Sequence, residues 1–543
     1  MTLRYFLAAL LLAAAPAASA QKVVQTLSLA DQETLGGTVR LANRQTLLLM
    51  TSGDAPEVRV VALRPDGQTA WQTKLIKVQQ VSSGGKSLFE SADDAARRAA
   101  RSSQLAPVNV YTTGNDVYAV EVISENVARS SKNALKPGQI MVQRINEQGE
   151  VQRASFEQPE RSKKTERVEL GHYGDGNMYY VLAHEYNPRS EVTEYVLERH
   201  NLSKGGPVER SVLSVVPAAP ERGTFNRYYN EWFYLGHRPG MTYLARRLAS
   251  HGKQEKPLQK APLEYEVLVL DNAGQRLGGF TSTLGLPQGQ YVAYTGYYMP
   301  NLLEQKHRYV PLTSGKVIYD EFKMTTGGYG DFYLDYDSGE CIVFGEYTKS
   351  ERPLVENGHS VEGFFMRSFD PLTGNILRQN QYPYSLELQK QAGFLLAGGL
   401  GRICWFSLDP LTGNPELTYS TMGGPFSRQQ EFIQLQFDRQ FAHLGHQQYK
   451  FAPKEWKPGQ TVTNVTVARP VCLRKTNGDA EEVRQLFQAR PDAPAYGAVR
   501  RMHQAAVAEH PDVQYVVSGT GEGQGLLLEQ LRLLGGKVTV YAF

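Results

Sequence analysis

Cysteine, net charge and long apolar runs are all scarce in this chain of 543 residues. Its 3 cysteines, Cys341, Cys404 and Cys472, are too few for a disulfide-built scaffold, and a chain of this size can stabilise itself by core burial. An odd number leaves at least one free thiol or an intermolecular pair. Each lies in an apolar, strand-like run ("CIVFGEY", "RICWFSL", "RPVCLR"), so buried, unreactive thiols are expected. Lys and Arg number 58 against 55 Asp and Glu, a formal charge of +3. Such balance gives no strong field for nucleic acid. The basic clusters "ARRAAR" (96–101) and "RSKKTER" (161–167) have acidic neighbours and read as solvated faces. No window after the first residues approaches the roughly 20 apolar residues of a membrane span.

The opening stretch, "MTLRYFLAALLLAAAPAASA", combines a basic start at Arg4, an apolar stretch from Tyr5 to Ala15, and Ala18-Ser19-Ala20 as a small-residue cleavage site. These are the parts of a secretory signal peptide, 1–20, which predicts a mature chain from Gln21 and a periplasmic or extracellular location. No cysteine near the cleavage site offers an attachment point for a lipid anchor.

The rest has few helix-period segments. It has many runs of four to eight residues rich in Val, Leu, Tyr, Phe and Thr, separated by glycine-bearing turns, so the fold is mainly β. One unit recurs: an apolar strand, a turn carrying Asp or Asn with Gly, then a second strand. It is seen in "VVALRPDGQTAWQTKL", "MVQRINEQGEVQRAS", "VLVLDNAGQRLGGF", "FFMRSFDPLTGNILRQ" and "CWFSLDPLTGNPELTYS". The hexapeptide "DPLTGN" occurs twice, from Asp370 and from Asp409, about one propeller blade apart, so the copies read as equivalent turns of neighbouring units. Pro371 and Pro410 preset φ at the first corner, Asp370 and Asp409 cap the turn, and Gly374 and Gly413 supply positive φ.

These turns resemble the hairpins between third and fourth strands of β-propeller blades. The "LDPLTG" form, and "PDGQTAW" with Trp71 after Gly67, resemble the repeats of quinoprotein-type propellers. The resemblance implies about seven four-stranded blades, six to eight being allowed. The tryptophan is not repeated after the other turns and no adjacent cysteine pair occurs, so the fold carries over and the quinone does not; no cofactor or metal is expected. In such a fold the shorter turns "ANRQ", "TTGND", "YGDGN" and "HRPG" join first to second strands on the same face as the Asp-Gly turns. The long segments 83–107, 124–139, 217–230, 250–262, 284–307 and 349–362 then share the opposite face, where loops on a rigid scaffold carry function. Two of them, "FNRYYNEW" and "QYVAYTGYYMPN", concentrate Tyr228, Tyr229, Tyr291, Tyr294, Tyr297 and Tyr298, large rings with polar tips suited to sugars or protein partners. Packing of the same rings onto the blade tops is the competing reading.

The propeller is expected over 21–487, with a helical insertion near 88–104. A small α/β appendage is expected over 488–543, with helices at 494–510 and 526–534. "SGTGEGQG" (518–525) would then sit at a strand-to-helix junction, where helix amides can bind anions. It fails the dinucleotide pattern at Gln524 and lacks a phosphate-loop lysine, so a turn is expected. "DFYLDYDSGE" departs from a calcium loop at Gly339 and Glu340 and reads as a hairpin. The histidines of "HLGH" (443–446), three apart on a strand, should project to opposite faces. "GHSVEG" is one residue out of step with a serine-hydrolase elbow. The expected function is a secreted binding or scaffold module acting through its long-loop face on a protein or glycan partner. The alternative is a carbohydrate-active or other hydrolytic enzyme with paired carboxylates at the central channel.

Overall fold

The computed structural model describes residues 22–31, 33–52, 57–76, 79–81, 109–122, 127–129, 139–159, 166–187, 192–217, 232–248, 263–292, 324–325, 331–335, 337–349, 362–386, 402–408, 413–421, 430–451, 471–475, 513–521, 524–530 and 535–542. The elements they form are strands, almost all antiparallel to their neighbours. Among the described residues seven sheets of four or more strands follow one another along the chain, beside a two-stranded ribbon of Gln79–Val81 and Val127–Arg129. The first contains Glu33–Arg40, Thr46–Ser52, Glu57–Leu63 and Thr69–Ile76; the second Asn109–Thr113, Asp116–Val122, Gln139–Ile145 and Val151–Glu157. The third contains Glu166–Asp175, Met178–Asn187, Val192–Asn201 and Glu209–Val212; the fourth Phe233–Arg238, Met241–Leu248, Leu263–Leu270 and Arg276–Leu284. The fifth contains Asp331–Leu334, Cys341–Thr348, Gly363–Phe369 and Ile376–Pro383; the sixth Arg402–Leu408, Pro415–Thr421, Gln430–Phe437 and His443–Phe451. The last contains Val471–Lys475, Val513–Gly521, Gln524–Gln530 and Gly536–Ala542, and its outer strand is Lys22–Leu29 from the opposite end of the chain.

Strands inside these sheets are apolar on both faces because each of the first five sheets packs against two others. In Glu57–Leu63, Val58, Val60 and Ala62 point to the second sheet, whereas Val61 and Leu63 point to the last. Clusters of this kind join the first sheet to the second, second to third, third to fourth, fourth to fifth, fifth to sixth, and last to first. Outer strands are wetter: Ile376–Pro383 is mostly exposed.

In the first six sheets consecutive strands are antiparallel, so connections between first and second and between third and fourth strands leave at one edge, here the turn edge. All others leave at the loop edge. At the turn edge the third-to-fourth turn of each of these sheets docks on the outer strand of the preceding one. A Cβ on Gly149 would lie 2.7 Å from the Trp71 ring, one on Gly274 2.4 Å from Leu213, and one on Gly374 2.6 Å from Phe280. The third sheet makes the same contact by pairing Gly206–Pro207 with Phe156–Glu157 of the second. Gly67 meets Val24 on the strand Lys22–Leu29 in this way, and its carbonyl accepts a hydrogen bond from Gln25 at 2.6 Å. The N-terminal strand thus takes, in the last sheet, the place that Trp71 and Phe280 mark in theirs.

Three expectations need correction. The C-terminal helix expected at 526–534 is, over its described part, the strand Gln524–Gln530, and "SGTGEGQG" is the hairpin that precedes it, with Gly519 opposite Gly525. Leu526, Leu527 and Leu528 are all fully buried, and an apolar run buried on both faces cannot be told from a buried helix by periodicity. The described part of the expected appendage therefore belongs to the sheet that Lys22–Leu29 completes, and no helix end is present to draw a phosphate. Next, the two "DPLTGN" turns are not equivalent. The copy at 370–375 joins third to fourth strands of the fifth sheet, whereas 409–414 joins first to second strands of the sixth. Both edges of the hairpin make the same demand, a left-handed glycine, met by Gly374 at φ 78° and Gly413 at φ 71°. Both copies still lie at the turn edge, since Arg378 donates to the Arg439 carbonyl and the Arg439 guanidinium lies 2.9 Å from where a Cβ on Gly413 would be. Finally, the histidines of "HLGH" share one face. His443 opposes Phe437, Gly445 opposes Gln436 and His446 opposes Leu435, so Leu444 is a bulge that resets the alternation. The expected helices near 88–104 and at 494–510 lie outside the described residues.

Candidate functional site

Polar chemistry inside the molecule concentrates on the third sheet. Its first strand, Glu166–Asp175, carries Arg167, Glu169, His172, Tyr173 and Asp175, and a bulge between Glu169 and Gly171 shifts the alternation along it. Toward the loop edge, Arg167 donates to Glu185 and to Glu198, each at 2.9 Å, and Arg210 donates to Glu185 at 2.8 Å. Glu198 is 1% exposed, so its charge has no solvent to fall back on. Burial alone would push the Glu185 carboxyl up, but Arg210 and then Arg167 outweigh it and hold it below the ordinary carboxylate range. Glu185 therefore stays anionic at neutral pH and has no proton to give as a general acid.

Next along the strand, His172 lies between Glu169, 3.0 Å from Nε2, and the Tyr179 hydroxyl, 2.8 Å from Nδ1. Burial pushes the Tyr179 phenol well above its ordinary value, so the phenol keeps its proton. With both nitrogens engaged, the imidazole is held in one orientation. Its ring also stacks on Tyr111 of the second sheet at 5.1 Å. Behind it, His200 is fully buried; burial first of all lowers its pKa to about 4, and its Nδ1–H donates to the Tyr179 carbonyl at 3.2 Å.

At the turn-edge end of the same strand, Asp175, His237 and Thr242 line up as carboxylate, imidazole and hydroxyl. His237 Nε2 lies 3.6 Å from Asp175 and its Nδ1 2.9 Å from the Thr242 hydroxyl. The order is that of a nucleophilic triad, but Thr242 is 1% exposed and Tyr173 stacks on the His237 ring at 4.1 Å. A substrate carbonyl has no approach to that hydroxyl. What the group does is lock two sheets together: Asp175 also accepts from the Gly240 amide and the Asn272 side chain of the fourth sheet, each at 2.7 Å. His237 foremost, with these two donors, holds the Asp175 carboxyl down at about 2.

Of the tyrosines singled out in the sequence, Tyr291 opens a two-residue strand, Tyr291–Val292, whose backbone pairs with Thr348 and Tyr347 at the loop-edge end of the fifth sheet. Tyr228, Tyr229, Tyr294, Tyr297 and Tyr298 lie outside the described residues. The ionic network of the third sheet went unread in the sequence. Its only signal was charge placed within otherwise apolar strands, as in "VLAHEY" and "YVLERH". Among the described residues no group of three or more His, Cys, Asp or Glu side chains is arranged to hold a metal. Among the same residues no helix is long and apolar enough to cross a membrane.

No family model and no curated protein matches the chain. Among solved structures, an apocarotenoid-oxygenase chimera is similar at 10% identity and a TM-score of 0.27, over 65% of this chain and 64% of its own. The β-propeller domain of the Trilobed protease from Pyrococcus furiosus is similar at 8% identity and a TM-score of 0.25, over 71% of this chain and 82% of its own. A DUF4221 member from Bacteroides vulgatus is similar at 10% identity and a TM-score of 0.26, over 96% of this chain and 97% of its own. Likeness at this level transfers neither fold nor activity, so the reading of this chain rests on its own residues.

Proposed function

We propose that the chain is an exported, closed propeller of seven blades that acts as a binding module through its loop edge, on a protein or glycan partner of the cell envelope or beyond. Closure is supported by the apolar clusters between consecutive sheets and by Lys22–Leu29 completing the last one. The observation that carries the binding reading is the inequality of the two edges. Turn-edge connections are as short as 114–115, 176–177 and 239–240, and loop-edge connections run to 123–138, 249–262, 285–330 and 349–362. A scaffold whose ring needs only short turns has no packing use for such lengths on one side, and binding residues concentrate on loops held by a rigid frame. Tyr228, Tyr229, Tyr291, Tyr294, Tyr297 and Tyr298 are the anchors of that surface, each ring able to bury roughly 150–250 Å².

The buried Asp175, His237 and Thr242 belong to the frame and not to a catalytic centre, which favours binding over hydrolysis. Export is tested by mass spectrometry of the secreted chain, with Gln21 expected as its first residue. Binding is tested on glycan arrays and by affinity capture, comparing the intact chain with one in which 250–261 and 350–361 are replaced by two-residue turns and Tyr228, Tyr229, Tyr291, Tyr294, Tyr297 and Tyr298 by alanine. Loss of a specific partner from the trimmed chain with its melting temperature retained supports the reading. Identical binding by both overturns it.

A further inference from the structure

The bulge at Leu444 does more than correct the alternation of one strand. It brings two imidazoles that a regular strand would separate onto the face turned toward the fifth sheet, with ring centres 6.0 Å apart and planes 22° from parallel. Tyr382 of the fifth sheet covers the outer face of His443 at 3.9 Å, and Phe437 stands edge-on at 5.7 Å. Nε2 of His443 is buried and has no hydrogen-bond partner, and a buried imidazole nitrogen left in this way calls for an occupant.

We infer that His443 and His446 form a two-imidazole site for a divalent transition metal of the copper, nickel and zinc class. Two imidazole nitrogens on one ion, each about 2.0–2.1 Å away, place the ring centres roughly 5–6.5 Å apart. The observed 6.0 Å separation lies within that range, so rotation of the two side chains suffices and the backbone need not move. Leu444 is 59% exposed and His446 is half-buried, so the pair is reached from solvent, and water completes the coordination. Nitrogen ligands favour copper(II) over nickel(II) and zinc(II), which makes copper(II) the probe of choice.

The test is a copper(II) titration of the whole chain without its leader, followed by calorimetry and electron paramagnetic resonance. One tight ion per chain is expected, with a splitting pattern from two equivalent nitrogens. His446→Gln should weaken it at least tenfold and reduce the pattern to one nitrogen. His251→Gln and His307→Gln should leave it unchanged. The metal-free melting temperature of His446→Gln should match the parent, so that lost binding is not lost folding; if His443→Gln fails to fold, His446→Gln alone decides. Equal affinity and an unchanged spectrum in His446→Gln would overturn the site, as would loss of the same signal in His251→Gln or His307→Gln.

Discussion

The two edges of these sheets obey different rules. At the turn edge nearly every connection is fixed by a hydrogen bond or a steric contact to the neighbouring sheet: the Ala42 amide to the Gly114 carbonyl, the Asn43 amide to Asn115, the Gly240 amide to Asp175, the Gly279 amide to the Leu372 carbonyl. At the loop edge, the described parts of the long connection 285–330 rejoin the sheets by short backbone pairings, at Tyr291–Val292 and at Met324–Thr325. The third sheet is the fuller of two exceptions. Its second-to-third connection, 188–191, is four residues long, and Arg167, Glu185, Glu198 and Arg210 pin that end by charge; the first sheet's connection, 53–56, is equally short and is pinned by Arg59 and Glu33. Stability and variability are thus divided between opposite ends of the same strands, with these two sheets secured at both.

The largest test of this contrast is to unpin the fuller exception. Arg167→Met leaves Glu198 buried without that cation and should cost about 3–5 kcal/mol by urea unfolding, the usual penalty for breaking one side of a buried ionic network. A cost under about 1 kcal/mol would remove the network from the account.

Acid should act next, through His200. Its pKa is about 4 in the folded chain and about 6.5 when unfolded, so the unfolded chain takes up the proton first. Its contribution, about 3 kcal/mol, should be complete above pH 6.5 and be lost as pH falls from there to 4. Asp175, at about 2 when folded against about 3.9 unfolded, adds a second loss between those values. Melting temperatures against pH should show the first step in the parent and not in His200→Gln.

Gly149→Ala comes third. It adds a Cβ 2.7 Å from Trp71 at a φ of 85°, and about 1–3 kcal/mol of destabilisation is expected, read as a fall in melting temperature. The smallest effect belongs to the loop edge: replacing 250–261 with a two-residue turn should change stability by under about 1 kcal/mol, because loop length enters only logarithmically.

The turn edge was legible in the sequence because its chemistry is local. Asp271 caps its own turn through the amides of Ala273 and Gln275 at 2.9 and 2.7 Å, and "DNAG" announces as much. Three things were not legible, each because a distant partner decides them. "GLLLEQ" is a strand because Val516, Leu528 and Val540 pair across three segments, a fact no window of residues contains. The histidines of "HLGH" share a face because Gln436 and Phe437 impose a bulge from the neighbouring strand. Asp175 and His237 meet because two sheets pack, although they stand in separate turns, "YGDGN" and "HRPG". Of the candidate surface, the loop lengths and the tyrosines were readable, and the ionic frame of the third sheet was not.

All of this depends on the last sheet being completed by the N-terminal strand Lys22–Leu29. Thr26 lies directly opposite Thr539. With cysteines at these two positions, the native chain should form an intramolecular bridge under mild oxidation or with a short bis-thiol reagent. It would run faster on a non-reducing gel and melt at a higher temperature than the reduced form. Two thiols that remain free and are alkylated at the rate of the unfolded chain would contradict the account.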